Sequence, residues 1–311
     1  MRAPDPDIAL PLSPNLRGNL FMVIATACFA MNDAITKFVS SEINFGQVIF
    51  VRGAIAMLLI ATLAVRNGAM RPVRVLFIAP VALRVIGEIG GAVCFLAAIT
   101  HLPLANIYSI FQALPLAATL GAVMVFGEQV GWRRWLAITA GFIGVLIIVR
   151  PGVAGFNQYS LLALTSVMFC ALRDLATKRI PKEIPSLFIT LLTTVSVGTA
   201  GAVLLHPLGG WSPMSMRTMA LLVVAAILLP IGYNCIILSL RIGDISAVAP
   251  FRYTALIWAT LIGYVVFGEV PDAAMIVGAA IIVGSGLYAL YRERIRDSAR
   301  PAASASSQPP D

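Results

Sequence analysis

Seven ionisable side chains stand inside long apolar stretches of this sequence: Asp33, Arg52, Arg84, Glu88, Arg173, Asp174 and Arg252. Only 12% of the 311 residues are charged, so charges at these places need a reason. Two of them belong to a motif that occurs twice, as NDAITK at 32–37 and RDLATK at 173–178. An acidic residue four positions before a lysine forms a helical pair worth about 0.2–0.5 kcal/mol when exposed. A lysine near a helix end also extends to the headgroup layer. Asp33 and Asp174 lie closer to the middle of their segments, where an ionised group costs roughly 2.5–3.5 kcal/mol and usually faces a cavity or a partner. Two readings stand side by side: a structural pair, or a gate or proton-coupling group with Lys37 beside it. Asp33 follows the neutral Asn32, whereas Asp174 follows Arg173, which makes Asp33 the better coupling candidate.

The elements that must position these residues are hydrophobic helices. The chain is 59% hydrophobic with a mean hydropathy of +0.92, and its charged share is about half that of a soluble protein. About 20 apolar residues cross a bilayer core as a helix. Ten such blocks occur, near 19–40, 44–65, 75–100, 103–126, 131–149, 158–180, 185–205, 218–240, 245–267 and 272–291. They are too long and too continuously apolar for barrel strands, and their backbone groups can be satisfied in lipid only as helices. The fold class is therefore an all-α integral membrane protein. The first block is longer than a signal h-region and carries Asp33, so it reads as a span. Residues 1–16 and 297–311 read as disordered tails. Cys28, Cys94, Cys170 and Cys235 have no metal or redox spacing and read as packing residues. His101 and His206 lie at helix ends and read as interfacial.

The net charge of +8 follows membrane topology rather than nucleic-acid binding. With the N-terminus placed inside, fifteen Lys and Arg residues fall on inner segments and three, Lys37, Arg150 and Arg217, on outer ones. That asymmetry puts both termini in the cytoplasm of a bacterial-type inner membrane.

A shift of 141 residues superimposes more than the opening motif. Phe126-Gly127-Glu128 falls on Phe267-Gly268-Glu269, Cys94 on Cys235 and Gly91 on Gly232. Helices 1–5 (residues 17–150) thus repeat as helices 6–10 (residues 151–296). Five is odd, so the second half enters the membrane from the opposite face. Such an inverted-topology repeat marks many secondary transporters.

The twin motifs, VRGAIA (51–56), LPLANIYSIFQALPLAATLGAVMVFGE (102–128) and APFRYTALIWATLIGYVVFGE (249–269) make the chain resemble the drug/metabolite transporter superfamily, EamA type, over about residues 17–292. The resemblance implies solute transport by alternating access without ATP; family members export amino acids and other metabolites or import S-adenosylmethionine or riboflavin. The aliphatic FQALPLAATL of helix 4 lacks the aromatic-rich segments of the aromatic-amino-acid exporters.

Charges in one half with apolar or neutral mates in the other are not required by a shared architecture. Arg52 faces Thr193 in the repeat, Glu88 faces Leu229 and Arg252 faces Phe111. Arg84 and Glu88, four apart on helix 3, either neutralise each other or serve a ligand. Arg52, Arg84, Glu88, Asn106, Gln112 and Tyr253 are the candidate substrate-binding residues; Arg252 and Arg173 are also placed to reach the headgroups. Proline removes a helical hydrogen bond, so Pro115 and Pro250, with Pro80 and Pro230, are expected kink points. Gating or coupling candidates are Asp33, Asp174, Lys37, Arg252, Pro115 and Pro250. Helices 1, 3, 4, 6, 8 and 9 are expected to line a midplane cavity. Helices 5 and 10, with Ala137, Gly141, Gly144, Gly278, Gly284 and Gly286, read as scaffold or a dimer seam.

A slight positive excess in that cavity suits a carboxylate-bearing or amino-acid-like solute, because arginine presents a planar fork of donors to carboxylate. The expected function is secondary-active transport of such a metabolite, with export favoured. Uptake of a vitamin or nucleoside-type metabolite, riboflavin or S-adenosylmethionine, is the alternative. A membrane enzyme would need a convergent nucleophile, base or metal cluster, and a channel would favour an open polar pore. No Walker loop occurs, and no cofactor is expected. Expected partners are a small-molecule substrate, the lipid bilayer and protons, with no nucleic acid, in a monomer or homodimer.

Overall fold

Five of the helices begin where a polar side chain takes up a free N–H group, and others, such as those opening at Ala79, Leu104 and Ser186, begin without a side-chain cap. Ser13 accepts the Leu16 N–H at 3.3 Å, with Pro14 in the first turn. Asn44 accepts Gln47 N–H, Asn157 accepts Tyr159 N–H, Ser215 accepts Thr218 N–H and Asp272 accepts Met275 N–H, at 2.7–3.0 Å. The computed structural model describes residues 13–127, 132–150, 157–181, 183–242 and 248–298. We number the spans α1 (Pro14–Val39), α2 (Phe45–Arg66), α3 (Ala79–Ile99), α4 (Leu104–Phe111 continued by Leu114–Phe126), α5 (Trp132–Val149), α6 (Gln158–Lys178), α7 (Ser186–Leu205), α8 (Met216–Ile242), α9 (the 3-10 turn Ala249–Tyr253 continued by Thr254–Phe267) and α10 (Ala273–Ser298). Eight of these are long and apolar enough to cross a membrane, and Trp135–Val149 and Ala273–Tyr288 are shorter apolar helices. No strand occurs among the described residues. With ten spans, the two ends of the described chain lie on one face, the proximal end; the C-terminus of α1 lies at the distal end.

Several boundaries differ from the sequence expectation. α1 starts at Pro14 because Ser13 caps it, so residues 14–16 are helical, not tail. α10 likewise continues through Asp297 and Ser298. The remaining tail residues, 1–12 and 299–311, lie outside the described residues. Pro80 opens α3 rather than kinking it, after the short 3-10 turn Val73–Phe77. Pro230 lies inside α8, which runs on through it. Pro115 sits in the first turn of the second α4 segment. The α4 break falls at Gln112–Ala113 and the α9 transition at Tyr253–Thr254; these are repeat mates.

The packing has the symmetry of the repeat. α1 packs along α8 and its mate α6 along α3; α1 meets α9 as α6 meets α4; α2 meets α8 as α7 meets α3. The pairs α2–α7, α4–α9 and α5–α10 are their own mates. The most extensive packings all join one half to the other, so the repeat boundary is not a packing boundary. Small residues permit the close approaches. A Cβ on Gly53 would lie 2.9 Å from the Gly198 Cα, and one on Gly144 or Gly278 would lie 2.8 or 2.7 Å from the other's carbonyl oxygen. The glycine seam of α5 and α10 therefore lies within the monomer. Leu58, Val203 and Val265 are among the large apolar residues left exposed on the helices, a surface that hydrocarbon covers.

Candidate functional site

Two clusters of charge lie inside the bundle. The first is built on one face of α1, where Asn32, Asp33 and Thr36 are within a turn of each other. Asp33 Oδ2 accepts the Tyr108 hydroxyl of α4 at 2.7 Å, and its Oδ1 accepts Asn32 Nδ2 at 2.8 Å. Arg52 enters from α2 and donates from Nη1 to Asn32 Oδ1 at 3.4 Å and to Thr36 Oγ1 at 3.2 Å. Both bonds are long, and Nε and Nη2 have no acceptor among the described residues. A fork of arginine donors thus remains open beside an aspartate that is already satisfied.

The second cluster joins α3 to α6. Glu88 Oε1 lies 3.5 Å from Arg173 Nη1, and Arg173 Nε donates to Asp174 Oδ1 at 2.9 Å. Arg84 stands 4.0 Å from Glu88 and donates to Thr177 Oγ1 at 2.5 Å. Glu88 is therefore held more closely across the interface than by its own helix. In each copy of the repeated motif the threonine accepts an arginine, Arg52 at Thr36 and Arg84 at Thr177. Arg84 Nε and Gln112 Nε2 are buried without a hydrogen-bond partner among the described residues.

Tyr233 of α8 connects the clusters. Its ring packs edge-on against Phe29, centroids 5.1 Å apart. It lies within electrostatic reach of Glu88, Arg173, Arg84 and Arg52. It is nevertheless 53% exposed. A residue with charged groups of three other helices in reach and still half open is a candidate for lining an interior space. Around Tyr233 lie Phe29 of α1, Arg52 of α2, Arg84 and Glu88 of α3 and Arg173 of α6. α2 is not among the helices expected from sequence, while α4 and α9, which are, place no group at Tyr233 among the described residues.

The remaining candidates lie elsewhere. Tyr253 packs its hydroxyl against Gly286 of α10. Arg252 and Pro250 are exposed near the start of α9, Pro115 is exposed on α4, and Asn106 is half-buried near the distal end of α4. Lys37 forms an ion pair with Glu269 and donates to the Leu102 carbonyl at 2.5 Å. Its mate Lys178 is exposed. Asn32, Thr36, Tyr108, Tyr233 and Glu269 were not singled out by sequence. Asn32 and Thr36 carry a signal in the repeated NDAITK and RDLATK motif, and Glu269 in the repeated Phe-Gly-Glu; Tyr108 and Tyr233 carry none. No group of three His, Cys, Asp or Glu side chains gathers in metal-binding fashion among the described residues.

The EamA-like transporter family model matches residues 16–150 and again 158–291. A riboflavin transporter of Vibrio cholerae is 30% identical over 86% of this chain and 91% of its own length. An S-adenosylmethionine uptake transporter of Rickettsia prowazekii is 25% identical over 91% and 95%. A pseudopaline exporter of Pseudomonas aeruginosa is 26% identical over 86% and 93%. One solved structure shares the fold with a TM-score of 0.61 at 19% identity, covering 90% of this chain and 98% of that one. A ten-span bundle with exchange-symmetric packing, matched in both halves by one model, makes this multi-pass membrane protein a member of the EamA-like transporter family.

Proposed function

We propose that the protein carries a small metabolite bearing both a carboxylate and a cationic group across a bacterial inner membrane by alternating access, with both termini cytoplasmic. The observation that carries this reading is the open donor fork of Arg52 beside Asp33. A planar pair of N–H donors matches a carboxylate, and charge-assisted bonds of this kind are the strong ones. The interior holds Arg52, Arg84 and Arg173 against Asp33, Glu88 and Asp174, a balance that suits a zwitterion better than a net anion. The named S-adenosylmethionine relative agrees with an amino-acid-like headgroup. Direction follows the solute and ion gradients, since alternating access is reversible.

Counterflow into proteoliposomes tests the reading, with S-adenosylmethionine, neutral amino acids, a dicarboxylate and riboflavin as solutes. Exchange of one or more zwitterions is expected, and Arg52→Lys should raise the KM for that solute about tenfold or more while the protein stays folded. Exchange of riboflavin alone would replace this reading with vitamin transport, the reading favoured by the 30% identical relative.

A further inference from the structure

A half-buried junction closes the distal end of the bundle. At the distal end the Lys37 and Glu269 side chains are 13% and 14% exposed. Glu269 Oε1 takes the Lys37 ammonium, while Oε2 accepts the Leu104 N–H that opens α4, at 2.8 Å. Lys37 also holds the Leu102 carbonyl in the α3–α4 corner. One carboxylate therefore ties together the end of α1, the start of α4 and the end of α9. Gly268, at φ +66°, reverses the chain after α9 and lets Glu269 turn back to this position. The same end carries a second clasp: Gln47, fully buried, exchanges two bonds with the Ser212 backbone at 2.8 and 2.9 Å, and Asn44 donates to the Gly210 carbonyl at 2.7 Å. At the proximal end the mate of Lys37, Lys178, is exposed; the mate of Glu269, Glu128, lies outside the described residues. The helices there are joined by Ser239 donating to the Gly18 carbonyl at 2.6 Å and Arg179 donating to the Val125 carbonyl at 3.1 Å.

We infer that the Lys37–Glu269–Leu104 junction is the distal lock of the transporter, and that its rupture is the step that opens the interior site to the distal side. The inference rests on the alternating-access reading above, but its test needs no substrate. Lys37 and Glu269 are positioning residues: they hold three helix ends in the sealed arrangement and do not face the space around Tyr233. Losing either partner leaves the other charge buried and unpaired, which the sealed state tolerates poorly. The distal-open state, where both reach water, gains in population. Loss of a purely structural pair would lower thermal stability without exposing one end selectively.

Ile107, fully buried in the distal core one turn into α4, serves as reporter. In full-length protein with Cys28, Cys94, Cys170 and Cys235 replaced, Ile107→Cys is labelled with a membrane-impermeant maleimide from each face of oriented vesicles. Slow labelling is expected in the parent. Glu269→Gln and Lys37→Met should raise the rate from the distal face about tenfold or more. The exchanged pair Lys37→Glu with Glu269→Lys, which restores the charge pair but not the bonds to the Leu104 N–H and the Leu102 carbonyl, should bring it only part of the way back. Should Glu269→Gln fail to fold, Glu269→Asp, which withdraws the carboxylate from Leu104, should give a smaller rise of the same sidedness. Folded variants labelled at the parental rate, or faster from the proximal face alone, overturn the lock. Failure of every solute in counterflow would overturn the proposed function and leave this result standing.

Discussion

Gly87→Val should leave almost no folded, monodisperse protein, and Gly87→Ala should fold with a lowered melting temperature and sharply reduced transport. A Cβ at Gly87 would lie 2.8 Å from both the Arg173 amide nitrogen and the Phe169 carbonyl oxygen. Both are backbone atoms of α6 and cannot rotate away. Accommodating even a methyl group means moving α3 from α6, and overpacking of this kind costs about 1–3 kcal/mol. The next residue is Glu88, whose 3.5 Å approach to Arg173 depends on the same separation. Stability and transport should thus fall together. Gly284→Ala is the control, because nothing lies within 4 Å of a Cβ there; it should behave like the parent. Melting by size-exclusion in detergent, with counterflow on the surviving fraction, reads both effects. A Gly87→Ala protein with parental melting and parental transport would show that the α3–α6 contact is slack.

Asp33→Asn should remove essentially all accumulation driven by a pH gradient while leaving substrate exchange intact. Asp33 accepts from Tyr108 and Asn32. An asparagine keeps one acceptor oxygen and turns its amide toward the Tyr108 hydroxyl, which can accept as well as donate. The local network therefore survives, and what is lost is a group able to carry a proton beside Arg52. Asp174 is different: its side chain is 44% exposed and bonded to Arg173. Asp174→Asn should weaken folding or gating and leave coupling in place. Uptake into proteoliposomes with and without an imposed pH difference, on protein checked for folding, separates the two. Wild-type accumulation by Asp33→Asn would assign Asp33 to bracing.

The helices and their repeat were legible because both are written in period and spacing. Apolar blocks of spanning length are visible whatever they pack against, and an offset of 141 residues needs no geometry to detect. The partners of the charges were not legible, because they come from other helices at unrelated sequence separations. Arg84 and Glu88 satisfy the i, i+4 rule, yet Glu88 lies closer to Arg173, 85 positions later. Tyr108 reaches Asp33 across 75 positions, and nothing in its apolar surroundings marks that tyrosine among the seven of the chain. The repeated Asp-x-x-Thr-Lys looks in sequence like one local pair. In the fold its three polar residues serve three different partners: Tyr108 for Asp33, Arg52 for Thr36 and Glu269 for Lys37. The small-residue pattern of α5 and α10 showed that something packs closely there; that the partners are each other depends on the pseudo-two-fold arrangement.

The interleaving of the halves has a consequence for how the chain is made. α1 finds its main partner in α8, α2 in α7 and α5 in α10. On the ribosome the first five helices therefore enter the membrane before any of these partners exists. At ordinary translation speed the wait is roughly 10–30 s. During it Lys37 has no Glu269, and α1 carries Asp33 through the insertion machinery with only Arg52 of α2 and Tyr108 of α4 to meet its charge. A nascent chain stalled after α5 should consequently be held by chaperones or degraded, and the same residues supplied together with a separately synthesised second half should be rescued.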